Sequence, residues 1–370
     1  MAEDEDQELE EEAAPGEAVE APAPRENPAL LGHEAAEAAL LQAYLSARLP
    51  HAWLLSGPRG VGKATLAFRF ARFLFAQGGG GLFAAPPASL AVAPEQPVFR
   101  RVASGGHADL LVVERSLDPR RKKLRSEIVV DDTRAIAGFL RLTPAEGHWR
   151  VVVVDGADMM NRNAANALLK ILEEPPKRAA LLLVSDNPGR LLPTIRSRCR
   201  ILALKPLAQA VVLEALHHYR PDLSAADRAV LAQLAEGSIG RALELAGAGG
   251  IGLYRSLVRL LDGLPEIDGA ALHALADRLQ RGDGEEAFRL LAELLPGWLA
   301  RMVALAAGGA DAALPEESQA MRRLAARRGL DQWVEVWEKL THLFAQADSV
   351  NLDRKQVVLN AFFALEEAAR

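Results

Sequence analysis

The sequence predicts an α/β N-terminal domain, a parallel sheet flanked by helices, followed by a chain that is helical to its end. Three observations carry this. A short apolar run at 52–56 leads through the glycine-rich stretch 57–62 into an apolar-faced helix over 64–76. Residues 151–154 are four consecutive valines and residues 181–184 are another unbroken apolar run, the pattern of strands covered on both faces. After Pro206 strand signals stop, and apolar residues recur only at helical spacing, as in Trp333, Val336, Trp337, Leu340, Leu343 and Phe344. Strands alternating with helices imply a parallel sheet.

In chain order, Leu30, Leu31, Ala35, Ala38, Ala39, Leu41, Leu45 and Leu49 give a first helix that ends at Pro50. The helix over 64–76 carries Arg69 and Arg72 on the side away from its apolar face. Residues 77–108, rich in Gly, Pro and Ala, read as a long loop or insertion. A strand is expected at 110–114, a helix at 130–142 with Asp131 and Asp132 near its start, and a helix at 163–172 closed by Glu173, Glu174, Pro175 and Pro176. Three short helical segments follow at 208–218, 224–236 and 238–246, two with Ser at an N-cap. Residues 247–252 read as a hinge, and the remainder as helix.

Charge is unevenly placed. Net charge is −6, yet residues 1–24 hold ten carboxylates and no Lys or Arg, so the other 346 residues net +4. Such an acidic, Pro- and Ala-rich segment cannot bury enough surface to order itself and reads as a disordered tail. No apolar stretch reaches the ~18 residues of a membrane span, and the acidic start is wrong for a secretory signal. Cys199 is the sole cysteine, which excludes an intramolecular disulfide and a zinc site built from several thiolates. The expectation is a soluble cytoplasmic protein with no membrane partner.

Gly57-Pro58-Arg59-Gly60-Val61-Gly62-Lys63 fits G-x-x-x-x-G-K between a strand and a helix. Gly57, Gly60 and Gly62 let successive N–H groups curl around a phosphate, and Lys63 would reach the outer phosphates. The next position should be a Mg²⁺-binding Ser or Thr and is Ala64, with Thr65 one place late and turned by about 100°. Asp155 ends the valine strand, where a carboxylate holds Mg²⁺ in phosphate-loop enzymes. The Glu that would polarise an attacking water is replaced by Gly156. Asp158 is explained by a helix-starting cap. These two defects argue for a site with weak or absent Mg²⁺ and no resident metal, and against hydrolysis. Finally, Arg196, Arg198 and Arg200 crowd one loop, which suits phosphate contacts, a solvated surface, or an arginine finger offered to a neighbouring subunit.

Four motifs together resemble the bacterial clamp-loader subunits of the AAA+ class, the delta prime type of DNA polymerase III in particular. They are Leu31-Gly32-His33, the phosphate loop, the run Asn163-Ala164-Ala165-Asn166-Ala167-Leu168-Leu169-Lys170 continuing to Leu172-Glu173-Glu174-Pro175-Pro176, and Ser197-Arg198-Cys199. Asn351-Leu352-Asp353-Arg354-Lys355-Gln356 is similar to the family's C-terminal domain. The disordered acidic tail at 1–26 lies outside the resemblance, which implies an AAA+ P-loop domain at 27–205, a three-helix lid at 206–248 and an all-α oligomerisation collar at 249–370. It implies a largely non-hydrolysing stator whose Arg198 is an arginine finger in trans and whose Ser185 is the polar sensor. ATP or ADP could remain as a structural ligand on Gly57, Gly60, Gly62, Lys63, Thr65, Asp155 and Ser185. Implied partners are gamma/tau and delta subunits and, through the complex, the sliding clamp and primed DNA. The absence of Cys from 77–108 predicts no zinc, where many relatives carry a four-cysteine module. In Gly237-Ser238-Ile239-Gly240-Arg241 the lid arginine falls one residue later than the family pattern. The alternatives are an active motor subunit of gamma/tau type, disfavoured by Gly156, and a phosphate-loop kinase, which leaves the Ser-Arg-Cys loop unexplained.

Overall fold

A computed structural model of the chain describes residues 17–370 apart from 47, 78–85, 119–121, 147–148, 282–283, 310–312, 315–316 and 351, and apart from the side chains of 348–350. The acidic tail therefore falls mostly on residues outside the described ones, as does Asn351.

The chain divides into two units, one of 19–215 with 236–241, the other of 216–235 with 242–370. The first is built on five parallel strands, β1 (Ala52–Ser56), β2 (Leu110–Val113), β3 (Arg150–Asp155), β4 (Ala179–Ser185) and β5 (Arg200–Ala203), in the order β2-β3-β4-β1-β5. Every residue of β1 and β4 is buried, as is β3 up to Val154. This is the condition read from the valine run, since a strand with two covered faces carries polar side chains only at its ends.

Helices supply the covers. One face is sealed by α4 (Val130–Arg141) and α5 (Arg162–Glu173), whose Ile136, Leu140, Leu168, Ile171 and Leu172 join Leu54, Val152, Val154, Leu181 and Leu183 in one core. Helix α2 (Lys63–Ala76) packs on β1, β3 and β4, and α1 (Glu34–Leu45) meets α2 through the edge-to-face pair Tyr44–Phe73. Helix α5 starts where Asn161 accepts the Ala164 N–H at 2.9 Å.

Two elements differ from expectation. Within the expected loop 77–108 lies α3 (Pro97–Ala103), whose Val98 and Phe99 pack with Val92, Phe75 and Ala76. Two turns are too short to express a helical period. After the four-residue helix α6 (Pro193–Arg196), β5 is an edge strand with mostly exposed side chains, so it shows no apolar run and is defined by its pairing with β1.

Arg72 corrects the expectation of a solvent-facing side chain on α2. It is 1% exposed, donates to the carbonyls of Arg25 (2.8 Å) and Asn27 (2.7 Å), and lies 4.4 Å from the Phe99 ring centre. Arg69 adds a bond to the Pro28 carbonyl at 2.6 Å and an ion pair with Glu37. Residues 23–27 form a hydrogen-bonded turn at this anchor. A buried guanidinium is tolerated because fixed carbonyls and a ring face replace its water.

The chain continues through α7 (Gln209–Tyr219), α8 (Ala225–Leu234) and α9 (Ile239–Gly247). Ser224 caps α8, accepting from Asp227 N–H at 3.1 Å. The second unit then holds α10 (Gly250–Asp262), α11 (Gly269–Gln280), α12 (Gly284–Ala306), α13 (Glu317–Ala325), α14 (Leu330–Val350) and α15 (Arg354–Ala369). The α14 stripe is core at Trp333, Leu340 and Phe344, while Trp337 stays 36% exposed. Glu317 is fully buried yet satisfied, accepting from Trp298 Nε1 (3.0 Å), Leu314 N–H (3.1 Å), Ala313 N–H and the Tyr254 hydroxyl. No helix among the described residues is long and apolar enough to cross a membrane.

The Arg72 anchor makes a truncation series informative. Deleting residues 1–22 is expected to leave the urea unfolding midpoint unchanged, whereas deleting 1–28 removes the two carbonyls that Arg72 reaches and costs about 2–6 kcal/mol, at 1–3 kcal/mol per buried group left unsatisfied. Equal stability of the two truncations would contradict the anchor.

Candidate nucleotide site and arginine loop

The phosphate loop follows β1 at the C-terminal edge of the sheet. Gly57, Gly60 and Gly62 all have positive φ (149°, 73° and 112°), and His33 Nε2 lies 2.7 Å from the Val61 carbonyl, so the Leu31-Gly32-His33 box ties the first helix to the loop. Gly60 is required by close approach as well. A Cβ there would sit 2.6 Å from Ser238 Oγ, and one on Gly240 would sit 2.7 Å from Gly60 Cα. Gly240 N–H donates to the Gly60 carbonyl (2.9 Å), and Ser238 Oγ donates to the Arg59 carbonyl (2.7 Å) while accepting from Arg241 N–H (3.1 Å). Segment 236–241 is thus part of the wall of the loop, and Ser238 is the expected cap of α9. The late lid residue, Arg241, pairs with Glu236 at 3.4 Å.

Lys63 is 3% exposed, and its ammonium donates to the carbonyls of Gly57 (2.8 Å) and Pro58 (2.5 Å) and pairs with Asp186 Oδ1 at 2.6 Å. Asp186 directly follows β4 and was not singled out by sequence reasoning, which chose its neighbour Ser185. Ser185 lies opposite Ser56 and is fully buried, and its hydroxyl meets no partner among the described residues. The only available signal was position, since both residues end the same strand.

Asp155 ends β3, and burial raises its carboxyl above the ordinary range, reinforced by Glu114 and Asp186 and opposed by Lys63 and the Gly156 N–H. Asp158 does not cap its own turn as expected. Its carboxylate accepts the N–H groups of Asp186 (3.2 Å) and Asn187 (3.3 Å), which tethers the end of β4. Gly156 has φ 79° and ψ 44°, so a Glu there would carry left-handed backbone strain of about 1–2 kcal/mol. Thr65 is buried on α2 next to Ala64. The glycine cradle fits a phosphate, but Ala64 offers no hydroxyl, and no group of three or more His, Cys, Asp or Glu among the described residues could hold a metal ion.

The three arginines of the other loop separate in role. Arg200 lies over the Trp53 ring at 5.0 Å, and Arg196 has a buried Nε. Arg198 pairs with Glu173 Oε1 at 2.9 Å and donates to the Thr194 carbonyl at 3.1 Å, its side chain 36% exposed. The Ser-Arg-Cys loop and the end of the Leu-Glu-Glu-Pro-Pro helix are therefore one feature. Cys199 packs against the sheet core, and burial pushes its thiol up to about 12, so it is a packing residue. Because Trp53 pairs with Arg200 and Ser56 with Ala203 in parallel register, Arg198 precedes the start of β5 while Gly57 follows the end of β1. The two lie at opposite ends of the sheet, separated by at least roughly 13 Å along the strands.

A parallel sheet with a phosphate loop after β1, an acidic β3 end, and an arginine loop before the edge strand defines a P-loop domain of the AAA+ class, followed by an all-helical part. The family described as DNA polymerase III, delta subunit, matches residues 32–208. DNA polymerase III subunit delta prime of Pseudomonas aeruginosa is 39% identical over 199 residues, 54% of this chain and 56% of that one. The Bacillus subtilis subunit delta prime is 34% identical over 169 residues, 46% of each chain. DNA polymerase III subunit tau of Escherichia coli is 33% identical over 220 residues, 58% of this chain and 32% of tau. Over this N-terminal segment the chain is similar to the delta prime and tau subunits of DNA polymerase III. The match spans about half the length of the delta prime relatives.

The contact between Gly60 and Gly240 makes a paired test. Gly240→Ala is expected to cost about 1–3 kcal/mol in urea unfolding, as overpacking does. Gly247→Ala, at a helical position with nothing within 4 Å, should be neutral or stabilising by about 1 kcal/mol. Equal effects would contradict the docking of 238–241 on the loop.

Proposed function

We propose that this chain is the delta prime subunit of a bacterial DNA polymerase III clamp loader, a largely non-hydrolysing stator. It supplies Arg198 as an arginine finger to a neighbouring ATPase subunit while the complex loads the sliding clamp onto primed DNA. The carrying observation is the position of Arg198, at the opposite end of the sheet from this chain's own phosphate loop. A cation so placed cannot act on a phosphate held by Gly57, Gly60, Gly62 and Lys63, and can meet one held by another chain. Its pairing with Glu173 supports the same reading, because a guanidinium that grips one carboxylate offers the same fork to a phosphoryl oxygen. Partners on this reading are gamma/tau and delta subunits, with residues 249–370 as the collar through which they assemble and 206–248 as the lid.

In its own site, Lys63 and the backbone of 57–63 would hold the phosphates of ATP or ADP as a structural ligand. Without a hydroxyl at Ala64 the metal is weakly held or absent, and Gly156 leaves no base beside Asp155. A second reading, an active motor subunit, is favoured by the similarity to tau and opposed by these same residues.

In a reconstituted complex, Arg198→Ala should lower stimulated ATPase by about 10³-fold, the low end of known arginine fingers. Unchanged ATPase in an assembled complex would refute the finger.

A further inference from the structure

The phosphate loop presents its lysine to an internal carboxylate. Lys63 is buried, and three oxygens take up its ammonium, two loop carbonyls and Asp186 Oδ1 at 2.6 Å. An ammonium has three donors and no more, so a nucleotide phosphate can gain Lys63 only by displacing one of these oxygens. The exchangeable one is Asp186, whose side chain is 40% exposed, whereas the carbonyls belong to the loop itself. Asp186 is also not free to drift away, since the Asp158 carboxylate holds the N–H groups of Asp186 and Asn187. Neighbouring charge acts in the same direction, because Asp155 at the end of β3 and Glu114 just past β2 stand at the same edge of the sheet and repel a polyanion that arrives without a cation.

We propose that Asp186 is an affinity-determining residue, a built-in carboxylate that occupies Lys63 in place of a phosphate and sets how weakly this chain takes polyphosphate ligands. The proposal rests on the reading of 57–63 as a phosphate loop and is independent of the role of Arg198. It assigns nucleotide binding to an exchange of one anion for another at Lys63. Loss of the internal anion should therefore tighten binding, opposite to the effect of removing a residue that contacts nucleotide.

The test is equilibrium binding of inorganic pyrophosphate, and separately of ATP without added metal, to the full chain by calorimetry. Asp186→Asn keeps the size and the backbone contacts of the side chain. It is expected to tighten both ligands by at least about tenfold, the worth of one charge-assisted hydrogen bond, and a Lys63→Ala, Asp186→Asn double variant should lose the gain. Far-UV circular dichroism of each variant establishes that it is folded, and Asp186→Ser serves as a second variant if Asp186→Asn is not. Equal, Lys63-dependent binding by wild type and Asp186→Asn would overturn the role of Asp186 while keeping the phosphate loop. No binding by either would overturn both.

Discussion

A parallel sheet covered on both faces can carry polar chemistry only at its two ends, and that constraint organises this domain. Strands β1, β3 and β4 have no exposed side chain along their length until Asp155, so every charged group that could meet a ligand is displaced to a loop at one edge or the other. The C-terminal edge gathers Lys63, Asp155, Asp186 and the glycine loop. The N-terminal edge gathers Arg198 and Glu173. A cation and a cradle that face opposite ways on one rigid sheet cannot serve each other.

The two edges are held by different means. At the C-terminal edge the loop is braced from three sides, by His33 on the Val61 carbonyl, by Gly240 and Ser238 on the carbonyls of Gly60 and Arg59, and by the carboxylate of Asp158 beneath Asp186. Most of these braces are bonds to backbone, which fix shape without supplying charge. At the N-terminal edge Arg198 is half-exposed and held by a single carboxylate and a carbonyl. An exposed ion pair of that kind contributes at most about 1 kcal/mol, so it positions the guanidinium at little cost to its release.

The elements legible in the sequence were those whose physics is local. Four valines in a row and a glycine loop ahead of an apolar helix specify strand, turn and helix whatever surrounds them. The strand β5 and the helix α3 were hidden because each is short and takes its conformation from a neighbour, β1 in one case and α2 in the other. Arg72 looked like a surface residue because the segment that buries it lies more than 40 residues earlier. Within the site, the glycines, Lys63 and Asp155 follow from spacing, but Asp186 does not. Which of two consecutive residues at a strand end turns toward Lys63 depends on the tether from Asp158, a contact across 28 residues.

The account holds that this chain keeps the form of a nucleotide site while lacking the parts that hydrolyse. The most direct measurement is steady-state release of phosphate by the isolated full-length chain in saturating ATP and Mg²⁺. The prediction is no turnover above the background of a Lys63→Ala variant. Turnover that Lys63→Ala abolishes would contradict it and make the chain a motor subunit.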